Sequence, residues 1–368
     1  MKRIFCLMSA ASLMMLAFSC SSKEEEPATL PVVTTSEYTD LTESSFKAGG
    51  EVTEDGGADV TAKGIVFGEE PNPTIEVSSL TVDGNGIGVF ESNATDLKAS
   101  TTYYYRAYAT NEVGTSYGEE KTLKTTLAET ISFDIDGVTL DMVLVKPGTF
   151  KMGNPGTDDL FAYEKPVHNV TLTKSYYIGK YEVTQEQWIA VMGSNPSIYQ
   201  GNKIPVHQVS YNMCLQFIAA LNEKTGKTFS MPTEAQWEFA ARGGNKSEGH
   251  IYSGSDNVTE VGWCMDNIGE GMQPCGQLKP NELGIYDMSG NAQEWVSDYF
   301  YMSGYDSADQ TDPVGPSEPS NQYQERCVRG GSWMCDSIFC TVYKRVGTTY
   351  SDNMGFDYGF RLVLNNEE

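Results

Sequence analysis

The chain has 368 residues, 39% of them hydrophobic, and a formal net charge of −25 at pH 7. This length allows two or three domains, each with its own core, and the hydrophobic content excludes a largely disordered chain. Only 25 Lys and Arg stand against 50 Asp and Glu. The chain therefore lacks the basic field that neutralises phosphates, which excludes nucleic acid as a partner.

The first twenty residues have the pattern of an export signal. Lys2 and Arg3 form a short basic region, and residues 4–18 form an apolar stretch too short to span a bilayer comfortably. The ending at residues 17–20 resembles a bacterial lipobox, in which Cys20 would become the acylated new N-terminus. A simple secretory signal is the alternative.

Residues 1–19 are therefore predicted to be a lipoprotein signal peptide and residues 20–31 a polar tether. The charged run at residues 21–26 looks like the acidic export signals of surface-displayed lipoproteins. A diacylated cysteine gives the two-chain anchoring that makes membrane attachment stable. We expect an exported lipoprotein that is held at the outer membrane by its lipid anchor and exposed at the cell surface.

Residues 32–126 have an all-β pattern. Short alternating runs are separated by turn sequences such as Asp55-Gly56-Gly57. The clearest strand spans residues 102–110, where one face would carry Tyr103, Tyr105, Ala107 and Ala109. This region is predicted to be a domain without chemistry of its own, serving as a spacer or binding module.

The segment before that strand carries a more specific pattern. Leu97, Thr101 and Tyr103 resemble the corner before the F strand of fibronectin type III domains, where a Tyr hydroxyl bonds back to the chain. The resemblance implies an immunoglobulin-like β-sandwich over residues 32–126.

Three helices are predicted beyond residue 131. Residues 184–187 and 233–236 each form a capping box, with Thr at the N-cap and Gln three positions later. A further helix is predicted to begin at Ser210, to end at Gly226 and to bury three apolar residues: Leu215, Ile218 and Leu221. After Gly243 the sequence is rich in Gly, Asp, Asn and aromatic residues and is predicted to be loop-rich, held by ions or disulfides.

Six cysteines remain once Cys6 leaves with the signal and Cys20 is acylated. All of them lie in the C-terminal region: Cys214, Cys264, Cys275, Cys327, Cys335 and Cys340. An even number in an exported protein favours disulfides, although their connectivity cannot be deduced from spacing.

Six ordered segments resemble the formylglycine-generating (sulfatase-modifying factor) family over residues 131–364. The segments are residues 150–153, 181–188, 231–244, 281–295, 328–333 and 359–362. The resemblance implies an α+β domain with a loop-rich, C-type-lectin-like fold.

Catalytic members of this family bind Cu(I) through two cysteines. With molecular oxygen they oxidise a Cys in a Cys-x-Pro-x-Arg segment of an unfolded sulfatase to Cα-formylglycine. The resemblance assigns the two cysteines to Cys335 and Cys340, and makes Ser332 a small polar donor near bound oxygen. Soft thiolates select Cu(I), which fits this assignment.

The surroundings of the cysteine pair depart from the family pattern. Asp336 follows Cys335, where active members usually carry His or another basic residue, and Gln293 replaces a common Trp. An acid beside a thiol disfavours the thiolate. One alternative makes Cys335 and Cys340 structural disulfides, with each other or with Cys327 or Cys214.

The alternative function is a non-catalytic surface protein. Its lectin-like domain would bind a glycan, a peptide or another envelope component. An unfolded sulfatase peptide is the expected partner if the domain is catalytic, and a surface glycan or protein if it is not.

The resemblance also implies a structural calcium ion. Asp287 and Glu294 would bind it through side-chain oxygens, and Gly290 and Ala292 through backbone carbonyls. Hard oxygens on a tight turn suit this ion. Glu182 falls on a further acidic position associated with calcium. An acidic turn bonded to its own backbone is the alternative.

Cys264 and Cys275 flank a segment that does not align with the family's second calcium site. We expect these two cysteines to close that segment as a disulfide loop.

Overall fold

The computed structural model describes residues 26–157, 161–267, 271–319, 322–348 and 352–366. The chain divides into two compact units between Thr126 and Leu127. Cys20 and the predicted signal peptide lie outside the described residues. Within the described ranges, no helix is both long and apolar enough to cross a membrane.

The first unit is an all-β sandwich, as predicted. Its strands are β1 Val32–Thr35, β2 Phe46–Glu54, β3 Ala62–Gly68, β4 Ser79–Leu80, β5 Gly88–Ala94, β6 Thr102–Thr110, β7 Thr115–Tyr117 and β8 Lys121–Lys124. One sheet has the order β1-β2-β5, the other the order β4-β3-β6-β7, and β8 also pairs with β6. Phe46, Ile65 and Tyr105 are among the buried residues that fill the core of this unit.

The predicted tyrosine corner is present. The Lys98 backbone N–H donates to the Tyr103 hydroxyl at 3.1 Å. The predicted face of β6 is buried, and Tyr108 on the opposite face is buried as well, with its hydroxyl donating to the Thr81 carbonyl at 2.7 Å. The hydroxyl of Tyr108 is thereby satisfied, which allows that face to be covered too.

The second unit mixes short strands with helices, which confirms the α+β class. Its strands are β9 Thr130–Ile135, β10 Val138–Val145, β11 Gly148–Met152, β12 His168–Leu172, β13 Tyr176–Gly179, β14 Phe229–Ser230, β15 Gln293–Tyr299, β16 Gln310–Thr311, β17 Arg326–Arg329, β18 Arg345–Thr348, β19 Tyr358–Phe360 and β20 Val363–Asn365. Its helices are α1 Gln185–Met192, α2 Tyr211–Thr225, α3 Glu234–Ala241 and α4 Val258–Val261. The strands form sheets in the orders β14-β20-β13-β10-β9, β11-β12-β16 and β18-β17-β15-β19.

The three predicted helices begin at their predicted caps. Thr184 and Thr233 close capping boxes on α1 and α3, and Ser210 accepts from the Met213 N–H at the start of α2. Gly226 ends α2 in the left-handed conformation. Short polar side chains at these positions satisfy N–H groups that have no partner inside a helix.

Two details of the helix prediction are wrong. Leu215 is 44% exposed, because α2 turns Cys214 rather than Leu215 toward the core. The buried face of α2 consists of Tyr211, Cys214, Phe217, Ile218 and Leu221. The single turn α4, capped by Asn257, was not predicted, since four residues are too few to show a helical period.

Buried ion pairs help to hold the loop-rich half of this unit. Arg329 on β17 reaches Glu238 on α3 at 2.5 Å, and Arg345 on β18 reaches Glu234 on α3 at 2.7 Å. All four side chains are at most 3% exposed. These pairs fix α3 against the strands that flank the segment carrying Cys335 and Cys340.

Candidate functional site

The two predicted copper ligands lie on one irregular loop between β17 and β18. The chain leaves β17 through Gly330 and Gly331, both with positive φ. A side chain at position 331 would lie 2.8 Å from the Cys340 sulfur and 2.6 Å from the Phe339 carbonyl. Glycine is therefore required for the loop to fold back over Cys340.

The structure brings Cys335 and Cys340 into one side-chain cluster. Cys340 is fully buried and Cys335 is half-buried, packed against the cluster from its edge. A third thiol, Cys264, belongs to the same cluster together with Val258 and Val261. The pair predicted from the sequence is thus together, and Cys335 is its accessible member.

Two polar side chains approach the Cys335 sulfur. Gln293 Nε2 lies 3.7 Å from it, and Ser332 Oγ lies 3.4 Å from it. Ser332 also donates to Asp357 Oδ2 at 2.5 Å, and Gln293 Nε2 donates to the same oxygen at 3.1 Å. Asp357 thus orients both donors, a role that its place just before Tyr358 does not reveal in the sequence.

The protonation of the three thiols differs. Burial raises the pKa of Cys335, and the nearby carboxylates of Asp357 and Asp336 add to it against the opposing Ser332 hydrogen bond. The pKa of Cys340 is raised, first by its hydrogen bond to Cys264 and then by burial. The same bond lowers the pKa of Cys264 to about 7. The sequence prediction had paired Cys264 with Cys275 and did not anticipate this contact with Cys340.

The predicted Cys264–Cys275 disulfide is wrong. All six cysteines beyond the tether are free thiols. Cys264 contacts Cys340, whereas Cys275 donates to Glu182 Oε2 at 3.3 Å. The two sulfurs therefore lie in different side-chain clusters, and a bond between them would require the backbone to move.

The alternative structural disulfides are not formed either. Cys214 is buried in the core face of α2, and Cys327 donates to Glu234 Oε1 at 3.1 Å. Cys335 and Cys340 therefore form no disulfide, either with each other or with Cys214 or Cys327.

The predicted calcium ligands are divided between two arrangements. Asp287 and Glu182 converge with Cys275, one ligand atom of each lying within 4.8 Å of the others. Glu294, in contrast, gives both carboxylate oxygens to Arg361, each at 2.6 Å. Its negative charge is thereby balanced by a buried guanidinium, which the sequence prediction did not anticipate.

The backbone positions predicted for calcium lie beside these groups. The Ala292 N–H donates to Glu182 Oε1 at 3.1 Å, and the Gly290 N–H donates to the Gly330 carbonyl at 2.7 Å. The segment that contains Gly290 and Ala292 therefore connects the loop of the cysteine pair to the acidic cluster.

A cleft of about 780 Å³ opens elsewhere in this unit. Its lining includes His168, Glu234, Asp298, Tyr305 and Arg345, and neither cysteine of the pair lines it. Burial raises the pKa of Asp298 to about 7, and the Glu234 carboxylate adds to the effect.

Asp298 is expected to make stability depend on pH. Its pKa is 3.8 in the unfolded chain and about 7 in the folded one, so the unfolding free energy falls as pH rises from about 4 to 7. Asp298→Asn should remove this slope and raise the unfolding free energy at pH 8 by up to about 4 kcal/mol. Chemical denaturation at several pH values measures the effect.

Asp306→Asn serves as the control, because Asp306 is exposed in the same cleft. It should leave the unfolding free energy within about 0.5 kcal/mol. An unchanged pH slope in Asp298→Asn would contradict the buried, protonated state of Asp298.

Residues 136–366 match the sulfatase-modifying factor enzyme 1-like domain. Chaperone protein LppX of Paenibacillus barcinonensis is 32% identical over 273 residues, covering 61% of this chain and 89% of LppX. The formylglycine-generating enzyme of Streptomyces coelicolor is 29% identical over 192 residues, and the match spans 48% of this chain and 57% of that enzyme.

Two solved structures share the fold of the second unit. Treponema denticola variable protein 1 is 26% identical with a TM-score of 0.59, covering 65% of this chain and 100% of its own. PvdO from Pseudomonas aeruginosa is 27% identical with a TM-score of 0.53, covering 64% of this chain and 98% of its own.

Proposed function

This chain belongs to the sulfatase-modifying factor family, and on that premise we propose that it is a copper-dependent, oxygen-using oxidase. Its substrate would be an unfolded, exported polypeptide in which a Cys of a Cys-x-Pro-x-Arg segment is converted to Cα-formylglycine. The observation that carries this proposal is the state of Cys335 and Cys340. Both are free thiols in one cluster, and the accessible one has two polar side chains, Gln293 and Ser332, at its sulfur.

The donor set fits Cu(I). Two soft sulfurs on one short loop favour this ion over harder metals. Cys335 and Cys340 would hold it, and bound copper would supply the activation of molecular oxygen. The half-buried Cys335 leaves one side of the pair open to a peptide thiol.

The other residues of the loop support a bound thiolate. Gln293 Nε2 places a donor near the Cys335 sulfur, and such a donor stabilises negative charge on sulfur. Ser332 lies beside the same sulfur and gives its own proton to Asp357. Asp357 holds both of them by accepting their hydrogen bonds. Because burial and this carboxylate raise the pKa of Cys335, metal binding must displace its proton, and copper uptake should improve as pH rises.

We also propose that the chain works from a membrane anchor. The mature protein would begin at an acylated Cys20 and display both units from the outer membrane. The tether at residues 20–31 would let the oxidase reach polypeptides that leave the membrane before they fold.

A second candidate function is the binding of an unfolded polypeptide without chemistry. It is favoured by the similarity to LppX, which is named a chaperone and of which this chain covers 89%. The domain would then hold a polypeptide, a surface protein or a glycan without converting it, and the raised thiol pKa values of Cys335 and Cys340 would have no catalytic meaning.

One assay separates the two functions. The full chain is loaded with Cu(I) and mixed with oxygen, a thiol reductant and a peptide that contains Cys-x-Pro-x-Arg. If the chain is an oxidase, mass spectrometry should detect formylglycine in this peptide. A matched peptide with Ser in place of Cys should give no product. Peptide binding without any conversion would overturn the oxidase and support the holding function.

A further inference from the structure

A second constellation of ligand-type side chains lies outside the cysteine pair. It joins Glu182, just after β13, to Cys275 and to Asp287, which precedes β15. One ligand atom of each residue lies within 4.8 Å of the other two. Glu182 and Asp287 are at most 3% exposed, and Cys275 is half-buried. Three separate segments of the chain therefore meet at one point.

Hydrogen bonds hold these groups in place. The Gly276 N–H donates to Asp287 Oδ2 at 2.6 Å, and the Ala292 N–H donates to Glu182 Oε1 at 3.1 Å. The Cys275 N–H donates to the Lys203 backbone carbonyl at 2.9 Å. The site is thus preformed by the backbone rather than by mobile surface side chains.

The protein balances the charges at this site only in part, because Arg361 acts on three carboxylates at once, those of Glu182, Asp287 and Glu294. Arg361 is the nearby cation, and its donors go to Glu294 and to the carbonyls of Gly179 and Tyr286. Among the described residues no ion pair reaches Glu182 or Asp287. Two buried carboxylates without an ion pair of their own are costly.

One polar atom points to a missing ligand. Asp287 Oδ1 is buried and has no hydrogen-bond partner. A cation at this point would give that oxygen a partner, and the charge of a divalent ion matches the two carboxylates of Glu182 and Asp287.

The donor set does not suit the calcium ion that the family resemblance implies. Calcium takes six to eight oxygen ligands, whereas one of the three converging atoms is the sulfur of Cys275. Glu294, the second predicted side-chain ligand, is already paired with Arg361. Zinc accepts sulfur and carboxylate oxygen together, with three protein ligands and one further position.

We propose that Glu182, Cys275 and Asp287 bind a thiophilic divalent cation, best matched by Zn²⁺, in place of calcium. The ion would join the segment of Cys275 to the turn before β15. That turn contacts the loop of the copper pair, because Asn291 accepts from the Trp333 N–H and the Gly290 N–H donates to the Gly330 carbonyl. The ion would therefore stiffen the loop without contacting substrate.

Metal binding to the full chain tests the proposal. The protein is freed of metal, dialysed against Zn²⁺ or Ca²⁺, and analysed by elemental mass spectrometry. We expect about one zinc ion per chain at this site and no calcium. Cys275→Ser and Asp287→Asn should each lower zinc affinity by at least about 100-fold, since even outer groups cost 10- to 100-fold.

Cys335→Ser is the matched control, because it removes a half-buried thiol of the other cluster. It should keep zinc at the proposed site, and zinc should raise the thermal midpoint of this variant but not that of Cys275→Ser. Co²⁺ replacing Zn²⁺ should show a sulfur-to-metal charge-transfer band that is absent in Cys275→Ser.

Three results would overturn the proposal. They are binding of calcium in preference to zinc, loss of zinc in Cys335→Ser but not in Cys275→Ser, and the absence of any bound metal in a folded wild-type chain. All three are read from metal content, whereas the oxidase is tested by conversion of the peptide, so failure here and failure of the oxidase are distinguishable.

Discussion

Replacing Cys340 by Ser is expected to reduce formylglycine formation to the background of the copper-free protein. Cys340 is the buried member of the cysteine pair, and a Ser oxygen is a poor ligand for the soft Cu(I) ion. Loss of a direct ligand should cost at least about 100-fold in copper affinity. Product formation is measured by mass spectrometry of the peptide, at a copper concentration that saturates the wild type.

Cys214→Ser is the matched control for this prediction. It makes the same exchange at a fully buried thiol, but on the core face of α2. It should keep conversion while lowering stability, which circular dichroism during thermal unfolding reports. If Cys340→Ser is folded and still converts the peptide, the assignment of the copper ligands is wrong.

Breaking the buried ion pair between Glu238 and Arg329 is expected to have the largest effect on stability. Glu238→Gln leaves the Arg329 guanidinium, fully buried in the native chain, without its closest carboxylate. Removing one partner of a buried pair costs about 3 to 5 kcal/mol. The transition of the second unit in chemical denaturation of the full chain measures this change.

The loss of stability in Glu238→Gln should also depend on pH. Burial alone would raise the pKa of Glu238, but Arg242 and Arg329 outweigh it and lower the pKa below 4.5. The stabilisation is therefore present at neutral pH and is lost as pH falls through that lowered pKa. The difference between wild type and Glu238→Gln should shrink accordingly in acid.

The exposed pair of Lys279 and Glu260 provides the comparison. Its nitrogen and oxygen are 2.9 Å apart, but both side chains are largely in solvent. Glu260→Gln should leave the unfolding free energy close to that of the wild type, because solvent screens an exposed pair. A similarly small loss in Glu238→Gln would contradict the structural role given to the buried pair.

The parts of the structure that were predictable from the sequence depend on local interactions. Thr184, Ser210 and Thr233 cap helices through hydrogen bonds that reach only three residues along the chain. Tyr103 bonds back to Lys98 across five residues. Such contacts are encoded by spacing, so the pattern alone identifies them.

The partners that were missed are distant in sequence. Arg361 neutralises Glu294 across 67 positions, and Cys275 meets Glu182 across 93. No spacing rule connects these pairs, and a Cys that does not align with a family motif gives no hint of its neighbours. For the same reason the sequence suggested a Cys264–Cys275 disulfide, whereas the fold brings Cys264 to Cys340.

The most direct test of the proposed oxidase is a Cu(I) titration of the full chain against a competing chelator. We expect one tightly bound Cu(I) that is lost in Cys335→Ser and in Cys340→Ser and kept in Cys214→Ser. Copper binding that survives both exchanges, or a wild-type protein in which Cys340 is locked in a disulfide with Cys264, would contradict this expectation.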